Sequence, residues 1–430
     1  MLPLSGVYEP FVWFLGESGL AGSTSNNSRI LKKFSLSGPG CGILRPLKTV
    51  YFDYNATTPL DPAVREAMLP FLDAIWGNPS SVHHVGREAR ARLDDFRDRT
   101  ATVLKCKPSE VIFTSGGTES NNLAIFGVAR MLKAKGRHII SSAVEHHAVL
   151  HCLDYLAKKE GFEVTLLPVN GEGRVAIAHL EKAIRPDTVL VSIMAANNEI
   201  GTIQPVAELG AVCRSRGVLF HTDAAQWFGK ELFTGVSQFN ADLVSVCAHK
   251  FHGPKGVGAL YIKSPLHPDS ILFGGGHENE RRAGTENLPA IAGFAKALEL
   301  FVPTPVFERA QLLPLTRRLE GFIEKLPGVA LVSSKEGRLN NTIAFVVGGA
   351  DSITLLAGLD IEGICASSGS ACSAGSLEPS HVISALGVEA QFTNSLVRFS
   401  LGRDSSLEEV LFVENVLPEI LRRAQLTDKY

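Results

Sequence analysis

The amino-acid sequence predicts an α/β protein whose sheet is mostly parallel. From residue 50 onward, short β-branched runs alternate with longer stretches of helical periodicity, which is the pattern of parallel strands joined by helices. The chain has 430 residues, of which 45% are hydrophobic and 20% charged, so it has enough apolar material for two packed domains. The runs that read as buried strands are residues 110–115, 137–142, 162–169, 188–194, 217–223 and 241–248.

The pattern changes near residue 303. Two prolines in "VPTPV" (302–306) follow a helix predicted through residues 288–301, and proline cannot continue a helix. A second, smaller set of elements is expected after this point. In chain order it comprises a helix at 310–326, a strand at 339–347, a Ser-rich stretch at 367–380, the stretch 395–402 and a terminal helix.

The composition argues against several classes of function and favours a reducing compartment. The formal net charge is -2, with Lys and Arg spread along the chain, so neither a nucleic-acid binder nor a polybasic membrane anchor is predicted. Seven cysteines without a C-x-x-C pair indicate a reducing compartment rather than a disulfide framework. The longest apolar runs, such as residues 188–196, are shorter than a membrane span of about 20 residues. We therefore predict a cytoplasmic protein that binds no membrane, no nucleic acid and no metal.

Residues 1–49 are rich in Ser and Gly and have no clear periodicity. A secretory signal is disfavoured because its basic stretch, "RILKK", comes late, and a transit peptide is disfavoured because Glu9 and Glu17 come early. The favoured interpretation is a disordered extension or a start codon placed too far upstream. Organellar targeting by this segment is left open.

Residues 111–122 end a predicted strand in Gly116 and Gly117 and begin a predicted helix at Thr118. Glycines let backbone N–H groups approach an anion, and a helix start adds unpaired donors, so the joint could bind a phosphate. A Gly turn followed by a Thr N-cap is also a common strand-to-helix joint that binds nothing.

Two further strand ends carry unusual polar residues. Asp223 ends the predicted strand at 217–223 and is followed by Gln226; this acid could hold a proton on a heteroaromatic ring nitrogen, or simply cap a helix. Lys250 and Lys255 follow the strand at 241–248. A lysine near a strand end can act as an amine nucleophile, whereas Lys255 in "GPKG" suits a surface loop. Together the phosphate turn, the acid and the lysine predict pyridoxal phosphate as the cofactor.

Two histidines at 146 and 147 follow the strand at 137–142. One of them could stack on the cofactor ring and carry protons near neutral pH. Either could instead be a satisfied polar contact.

These segments and several others resemble, in the same order, the motifs of cysteine desulfurases. The resemblance runs from about residue 50 to about residue 420. It implies an aspartate-aminotransferase-like fold (pyridoxal-phosphate fold type I), with a large domain at 66–305 around a mixed, mostly parallel seven-stranded sheet, and a smaller α+β domain made of 50–65 and 306–430. The matching segments are "DYNATTPLDP", "GNPSSVHHVG", "FTSGGTESNN", "VEHHAV", "ANNEIGTIQP", "HTDAAQ", "AHKFHGPKGVGALY", "GGGHENERRAGTENLPAIAG", "SSGSACSAGSLEPSHV" and "VRFSLGR".

The resemblance implies a role for each matching residue. Lys250 would be the Schiff-base lysine, Asp223 would pair with the pyridine nitrogen, and Gln226 would bond the phenolate oxygen. His146 would stack on the ring and act in catalysis. The remaining cofactor contacts implied are Gly117, Thr118, Asn198, Cys247, His249 and, donated to the partner subunit of a homodimer with shared sites, Thr285.

The substrate contacts implied are Asn198 and Arg398, which would hold a carboxylate; an arginine fork suits that geometry. Cys372, in a Gly/Ser/Ala stretch that can swing, matches the catalytic cysteine. One position departs from the family, because Cys247 stands where relatives usually have a serine that binds the phosphate. A thiol is a weaker donor than a hydroxyl, so cofactor affinity could be lower unless Ser245 compensates.

The activity implied is removal of sulfur from L-cysteine, giving L-alanine and a persulfide on Cys372 for a sulfur acceptor, either an iron–sulfur scaffold or a tRNA-thiolation relay. Selenocysteine lyase shares the fold and most motifs, and is the closest alternative. A catalytically silent sulfur-assembly scaffold is the alternative from another class, although Lys250, Asp223, His146 and Cys372 are all present.

Overall fold

A seven-stranded sheet is the largest element of the structure, which is a computed structural model describing residues 49–307, 309–369 and 379–427. The strands within these ranges are β1 (Val50–Tyr51), β2 (Val111–Thr114), β3 (His138–Ser142), β4 (Glu163–Leu167), β5 (Thr188–Ser192), β6 (Leu219–Asp223), β7 (Leu243–Cys247), β8 (Gly258–Ile262), β9 (Val329–Leu331), β10 (Thr342–Val347), β11 (Ile364–Cys365) and β12 (Val397–Ser400). The sheet order is β2-β8-β7-β6-β5-β3-β4. β8 runs antiparallel to β2 and β7, and the other neighbours are parallel. The predicted α/β fold with a mixed, mostly parallel seven-stranded sheet is confirmed.

The six predicted runs contain β2 to β7, but the sequence reading missed β8. Its sequence follows the lysine-bearing turn directly and opens on a glycine, which a strand pattern disfavours. The structure explains that glycine. A Cβ on Gly258 would lie 2.5 Å from the carbonyl oxygen of Val246 and 2.9 Å from the Cα of Gly116. Only glycine therefore lets β8 pass this close to the turn after β2.

The helices in the described ranges are α1 (Pro62–Met68), α2 (His84–Leu104), α3 (Gly117–Met131), α4 (His147–Glu160), α5 (Ile177–Ala183), α6 (Val206–Ser215), α7 (His277–Glu280), α8 (Leu288–Phe301), α9 (Arg309–Ile323), α10 (Ser352–Ile361), α11 (His381–Ala385) and α12 (Leu407–Thr427). α8 has the predicted bounds. α3 begins at Gly117 with Gly116 as its N-cap, so the predicted start at Thr118 is late by one residue and Thr118 is not the cap.

The sheet is covered on both faces because neighbouring residues of a strand point to opposite sides. Val191 and Val244 belong to a core that includes residues of α2, α6 and α8. Leu190 and Leu243, one position earlier in each strand, belong to the core shared with α3 and α4. This double coverage explains the continuous apolar runs of β5 and β7.

The C-terminal part has its own three-stranded antiparallel sheet, in the order β12-β10-β9. β1 pairs in parallel with β11, and Val50 and Phe52 share a buried core with Phe345 and Phe399. The segment around residue 50 therefore packs with elements that follow it by about 300 residues in the chain. The described residues from Thr49 onward form one compact unit, and the division of the chain into domains of 66–305 and 50–65 with 306–430 stays a prediction.

The predicted extension at residues 1–49 lies outside the described residues except for Thr49. Of the helices in the part of the chain that the structure describes, none combines the length and the apolar character that crossing a membrane requires.

Candidate active site

A cavity of about 210 Å³ lies at the edge of the large sheet where the parallel strands end. That edge is where open α/β sheets bind ligands. The lining residues are Asn55, Ala56, Gly117, Thr118, Asn121, His146, Met194, Ala196, Asn198, Asp223, Ala225, Gln226, Cys247, His249, Lys250 and Arg398. The structure thus brings together ten of the twelve predicted site residues; Thr285 is described and does not line the cavity, and Cys372 lies outside the described residues.

Asp223 is the last residue of β6 and is only 7% exposed. One carboxylate oxygen accepts the backbone N–H of Ala225 at 2.9 Å, and the other accepts the side-chain amide of Asn121 at 2.6 Å. These two donors fix the direction of the carboxylate, which lines the cavity. Asn121 was missed by the sequence reasoning, although it lies in the same "TESNN" segment as the phosphate turn.

Lys250 ends the short 3₁₀ turn that follows β7. Its Nζ donates to the backbone oxygens of Asn55 at 2.7 Å and Ala56 at 2.8 Å. Burial lowers the pKa of this amine, which favours the neutral form that is the nucleophile. Lys255, the other candidate, is exposed and does not line the cavity.

The predicted phosphate turn combines a helix start with two other groups. Gly116 has a φ of 147°, a conformation that side-chain-bearing residues rarely adopt. The backbone N–H groups of Gly117 and His249 point to the sulfur of Cys247 and lower the pKa of its thiol. Burial has the larger effect and raises that pKa. The cradle therefore has N–H donors, a neutral thiol and the hydroxyl of Thr118 on one side of the cavity.

Ser245 does not stand in for a hydroxyl at Cys247. Its Oγ is fully buried and lies 2.9 Å from Nε2 of His221, in the interior of the sheet. It is not among the residues that line the cavity. The proposed compensation has no support in this geometry.

The structure separates the two adjacent histidines. His146 lines the cavity and caps α4, where its Nδ1 accepts the N–H of Ala148 at 3.1 Å. Burial lowers the pKa of His146, so the ring is neutral near pH 7 and its proton lies on Nε2. The ring of His147 packs instead against His151 and His381, with centroids 4.9 and 4.7 Å away.

Gln226 lies in a turn after β6 rather than on a helix surface. It is 4% exposed, and its Nε2 donates to the backbone oxygen of Asn55 at 2.9 Å. Its Oε1 accepts a hydrogen bond from Nζ of Lys230, a buried residue that the sequence reasoning missed. Asn55 was missed as well; its Oδ1 accepts from Lys230 at 2.7 Å.

Arg398 and Asn198 lie together in the cavity lining. Arg398 is 1% exposed and donates to the backbone oxygens of Asn198 at 2.8 Å and Gly369 at 3.0 Å. It also donates to the carboxylate of Asp53 at 2.6 Å, which the sequence reasoning did not single out. The Nε of Arg398 is buried and has no hydrogen-bond partner among the described residues, so the guanidinium retains a donor for a ligand.

Thr285 is the one described residue of the predicted set that does not line the cavity. Thr285 is exposed, although Arg282, three residues earlier, forms a salt bridge of 2.7 Å with Glu119 in the first turn of α3. Cys372 lies outside the described residues. The segments beside it contact the cavity edge, because Gly369 accepts from Arg398 and Ser380 donates to Glu199 at 2.5 Å.

The cavity fits pyridoxal phosphate group by group. The cofactor has a phosphate, a ring nitrogen, a ring oxygen and an aldehyde, and the cavity offers the N–H cradle, Asp223, the Gln226 amide and the Lys250 amine. The Oδ1 of Asn121 is buried without a partner in the described structure, which indicates a site that a polar ligand completes. No group of three or more metal-ligating side chains is found in the ranges that the structure describes.

Comparisons with known proteins agree with this chemistry. The family model described as aminotransferase class-V matches residues 50–413. A protein of Dictyoglomus turgidum named cysteine desulfurase IscS is 46% identical over 386 residues, which cover 89% of this chain and 97% of that protein.

Two solved structures are similar as well. One described as a NifS-like protein has a TM-score of 0.81 and 37% identity, covering 87% of this chain and all of that one. Another, described as SspA in complex with cysteine, has a TM-score of 0.73 and 34% identity, covering 83% of this chain and 100% of the other.

The fold and the cavity thus define a pyridoxal-phosphate-dependent enzyme of the class-V aminotransferase type. More narrowly, the chain belongs to the cysteine desulfurase family.

Proposed function

We propose that this chain removes sulfur from L-cysteine, releases L-alanine and leaves a persulfide on Cys372. The observation that carries the proposal is the grouping of Lys250, Asp223, His146 and Arg398 around one cavity of about 210 Å³. A nucleophilic amine, a carboxylate that can pair with a pyridine nitrogen and an arginine that can bind a carboxylate therefore share one cavity. The comparison structure described as a complex with cysteine supports the same substrate.

Residues on the strand-end side hold the cofactor in this proposal. Lys250 attaches it, Asp223 holds the proton on its ring nitrogen, Gln226 donates to its ring oxygen, and His146 lies against the ring. The phosphate is held by Gly117, Thr118, Cys247 and His249, while Asn198 contacts the cofactor and the substrate. When bound, pyridoxal phosphate supplies a protonated ring that accepts electrons from the α-carbon of the substrate.

Arg398 binds the substrate carboxylate, because its guanidinium lines the cavity and its fork of donors suits a carboxylate. Asp53 holds one end of the guanidinium at 2.6 Å and so sets its direction. Lys250 Nζ, whose pKa is lowered by burial, takes the proton from the α-carbon. His146, neutral near pH 7, carries its proton on Nε2 and can donate it from there.

The sulfur is taken by Cys372. Its thiolate attacks the substrate sulfur, a sulfur–sulfur bond forms, and the carbon–sulfur bond breaks with its electron pair going to the carbon chain, which is protonated and leaves as alanine. The balance is one thiol and one L-cysteine giving one persulfide and one L-alanine. This part of the proposal depends on the "SSGSACSAGS" motif, because Cys372 lies outside the described residues.

The variant Cys372→Ala tests the proposal. It should keep the visible absorbance of bound pyridoxal phosphate and lose sulfide release from L-cysteine, since only the sulfur acceptor is removed. Unchanged turnover would sink the assignment. Protein that stays colourless with pyridoxal phosphate would favour the silent scaffold, and faster turnover of L-selenocysteine than of L-cysteine would favour selenocysteine lyase.

A homodimer with shared sites belongs to the same proposal. Four strongly exposed apolar side chains support it, with exposures of 63% for Leu72, 72% for Trp76, 88% for Val82 and 87% for Phe273; Ser80 and Gly275, close in sequence to two of them, line one common cavity. Apolar surface of this kind marks protein interfaces. Thr285, exposed in one chain, would reach the partner's phosphate.

A mixing experiment tests the sharing. Chains carrying Lys250→Ala and chains carrying Thr285→Ala should each be weak or inactive alone. A mixed dimer would have one intact site, with Lys250 from one chain and Thr285 from the other. Recovery of alanine formation after mixing is expected, and no recovery would mean that Thr285 acts within its own chain. Full activity of Thr285→Ala alone would mean that Thr285 is not part of the site.

The sulfur acceptor and the compartment complete the proposal. The acceptor is an iron–sulfur scaffold or a tRNA-thiolation relay, and transfer of labelled sulfur from Cys372 to each purified candidate distinguishes them. The compartment is the cytoplasm, with an organelle as the alternative that residues 1–49 leave open. Fractionation of cells expressing the full chain decides between the two.

A further inference from the structure

Lys230 is a buried lysine that the proposed reaction does not use. It is 4% exposed and lies behind the cavity wall, seven residues after Asp223. Its Nζ donates to Oδ1 of Asn55 at 2.7 Å and to Oε1 of Gln226, and it lies 5.6 Å from the centre of the Phe307 ring. Asn55 and Gln226 line the cavity, whereas Lys230 does not.

The contact with Lys230 decides which end of the Gln226 amide faces the cavity. When protonated, the Lys230 amine can donate to Oε1 but has nothing to offer Nε2, because both are donors. The backbone oxygen of Asn55, which only accepts, also requires Nε2 on its own side of the amide. Oε1 must therefore point to Lys230 and Nε2 away from it. One N–H of Nε2 is used by the backbone oxygen of Asn55 at 2.9 Å, and an amide nitrogen has a second hydrogen.

The electrostatic setting favours an anion on the cavity side of Gln226. Both contacts of the Lys230 amine are uncharged amide oxygens. Burial lowers the pKa of Lys230 well below its usual value, and the neighbouring Lys250 and Arg398 lower it further. A buried amine in such a place becomes less costly when a ligand brings a negative charge nearby.

We propose that Lys230 is a positioning residue that, by holding Oε1 of Gln226, makes Gln226 an obligate hydrogen-bond donor to the ring oxygen of pyridoxal phosphate. The inference rests on the proposed cofactor contact of Gln226. It assigns to Lys230 the contact at the oxygen end of the amide, which adds to the contact of Asn55 at the nitrogen end and so opposes a flip of the amide.

Cofactor binding without substrate tests this inference. The affinity for pyridoxal phosphate is measured by titrating cofactor-free protein, and the visible absorbance of the loaded protein is recorded across pH. Lys230→Met should weaken binding about tenfold and raise the pH of the absorbance transition, because the ring oxygen loses its donor. Lys182→Met, which removes an exposed lysine of α5, should match the wild type.

A double-mutant cycle separates positioning from general support of the fold. If Lys230 acts through Gln226, Lys230→Met should add no further loss of affinity in a Gln226→Ala background. Lys230→Gln, which keeps a donor at this position, should recover part of the loss. Equal losses in both backgrounds, or no loss at all, would overturn the inference.

A crystal structure of the loaded wild-type protein provides a readout that does not depend on the variants folding. Lys230 Nζ should remain on Oε1, with Nε2 within hydrogen-bond distance of the ring oxygen. Nζ bonded elsewhere would overturn the inference and leave the proposed function intact. A wild-type chain that fails to bind pyridoxal phosphate would overturn both. A wild-type chain that binds the cofactor but releases no sulfide from L-cysteine would overturn only the proposed function.

Discussion

Two sides of the cavity are built in different ways. The strand-end side (Gly117, Asp223, Cys247 and Lys250) consists of residues that end or directly follow strands of the large sheet. The arginine side (Asp53, Asn198 and Arg398) joins a residue near position 50 to one near position 400, held by an ion pair of 2.6 Å. The first side is positioned by the backbone of one sheet, the second by contacts between distant segments.

The difference concerns how rigidly each side is held. A strand end is fixed by a row of backbone hydrogen bonds, so one side-chain change leaves its neighbours in place. The arginine side depends on a few buried polar contacts, in which loss of one partner leaves the other without compensation. Substitutions on the strand-end side should act on the cofactor, and those on the arginine side on substrate affinity.

Lys250→Ala is the largest expected effect and tests the strand-end side. The rate of alanine formation should fall at least about a thousandfold, because the amine both attaches the cofactor and takes the substrate proton. Lys255→Ala, at an exposed lysine in the same segment, should retain most of the activity. The assignment of Lys250 is refuted by a variant that keeps a tenth of the wild-type rate with cofactor bound.

Arg398→Lys tests the arginine side. The charge is retained and Asp53 keeps a partner, but the fork that suits a carboxylate is lost. The KM for L-cysteine should rise about 10- to 100-fold, while the affinity for pyridoxal phosphate stays unchanged. Arg403→Lys is the matched control, since Arg403 pairs with Asp61 at 2.8 Å and does not line the cavity. If Arg398→Lys lowers the affinity for pyridoxal phosphate by the same factor as it raises KM, the two sides of the cavity do not have separate roles.

Glu145→Gln tests how the buried carboxyl of Glu145, beside the cavity residue His146, makes the stability of the fold depend on pH. Glu145 accepts from Ser142 Oγ at 2.6 Å and from the backbone N–H of Met194, yet burial raises its pKa to about 8. The folded protein then binds a proton that the unfolded chain has released, so this residue's contribution to stability is full below about pH 4.5 and is lost as the pH rises through 8.

The wild-type free energy of unfolding should therefore contain a fall on the order of 2–4 kcal/mol over that range. Denaturant titrations at several pH values should show a weaker decline for Glu145→Gln. Glu160→Gln, at a surface carboxylate paired with Arg130, serves as the control. The same decline in both variants would mean that Glu145 is not the group responsible.

Cys247→Ser is the smallest expected effect. A hydroxyl donates a stronger hydrogen bond than a thiol, so the dissociation constant for pyridoxal phosphate should fall about three- to tenfold. Cys152→Ser, at a buried thiol on α4 outside the cavity, should leave that constant unchanged. Weaker binding by Cys247→Ser would show that the thiol suits this cradle better than the usual serine.

The strand-end side could be predicted from the sequence because its geometry is local. A buried strand, a glycine turn and a polar residue at the strand end appear as consecutive letters, and parallel strands bring their ends to one edge. That logic found Gly117, Asp223 and Lys250. It missed β8, because a strand that begins on a glycine resembles a loop until the close approach of Gly116 is known.

The supporting residues could not be predicted in this way. Asn121 is recognisable only when its amide is seen 2.6 Å from Asp223, about a hundred residues away in the chain. Asn55 and Lys230 carry no signal of their own, since an asparagine in a turn and a lysine after a turn usually face water. Their roles follow from burial, which no local pattern reports.

The sequence by itself determined the class of fold, the cofactor and the chemical groups that the reaction needs, because strand periodicity and the motifs at strand ends are properties of neighbouring residues. The tertiary structure alone decided that Ser245 faces His221, and that Asp53, Asn55 and Lys230 support Arg398 and Gln226. Those outcomes depend on contacts between side chains that are far apart in the sequence. Burial makes each unpaired polar group costly, and so it selects one set of partners.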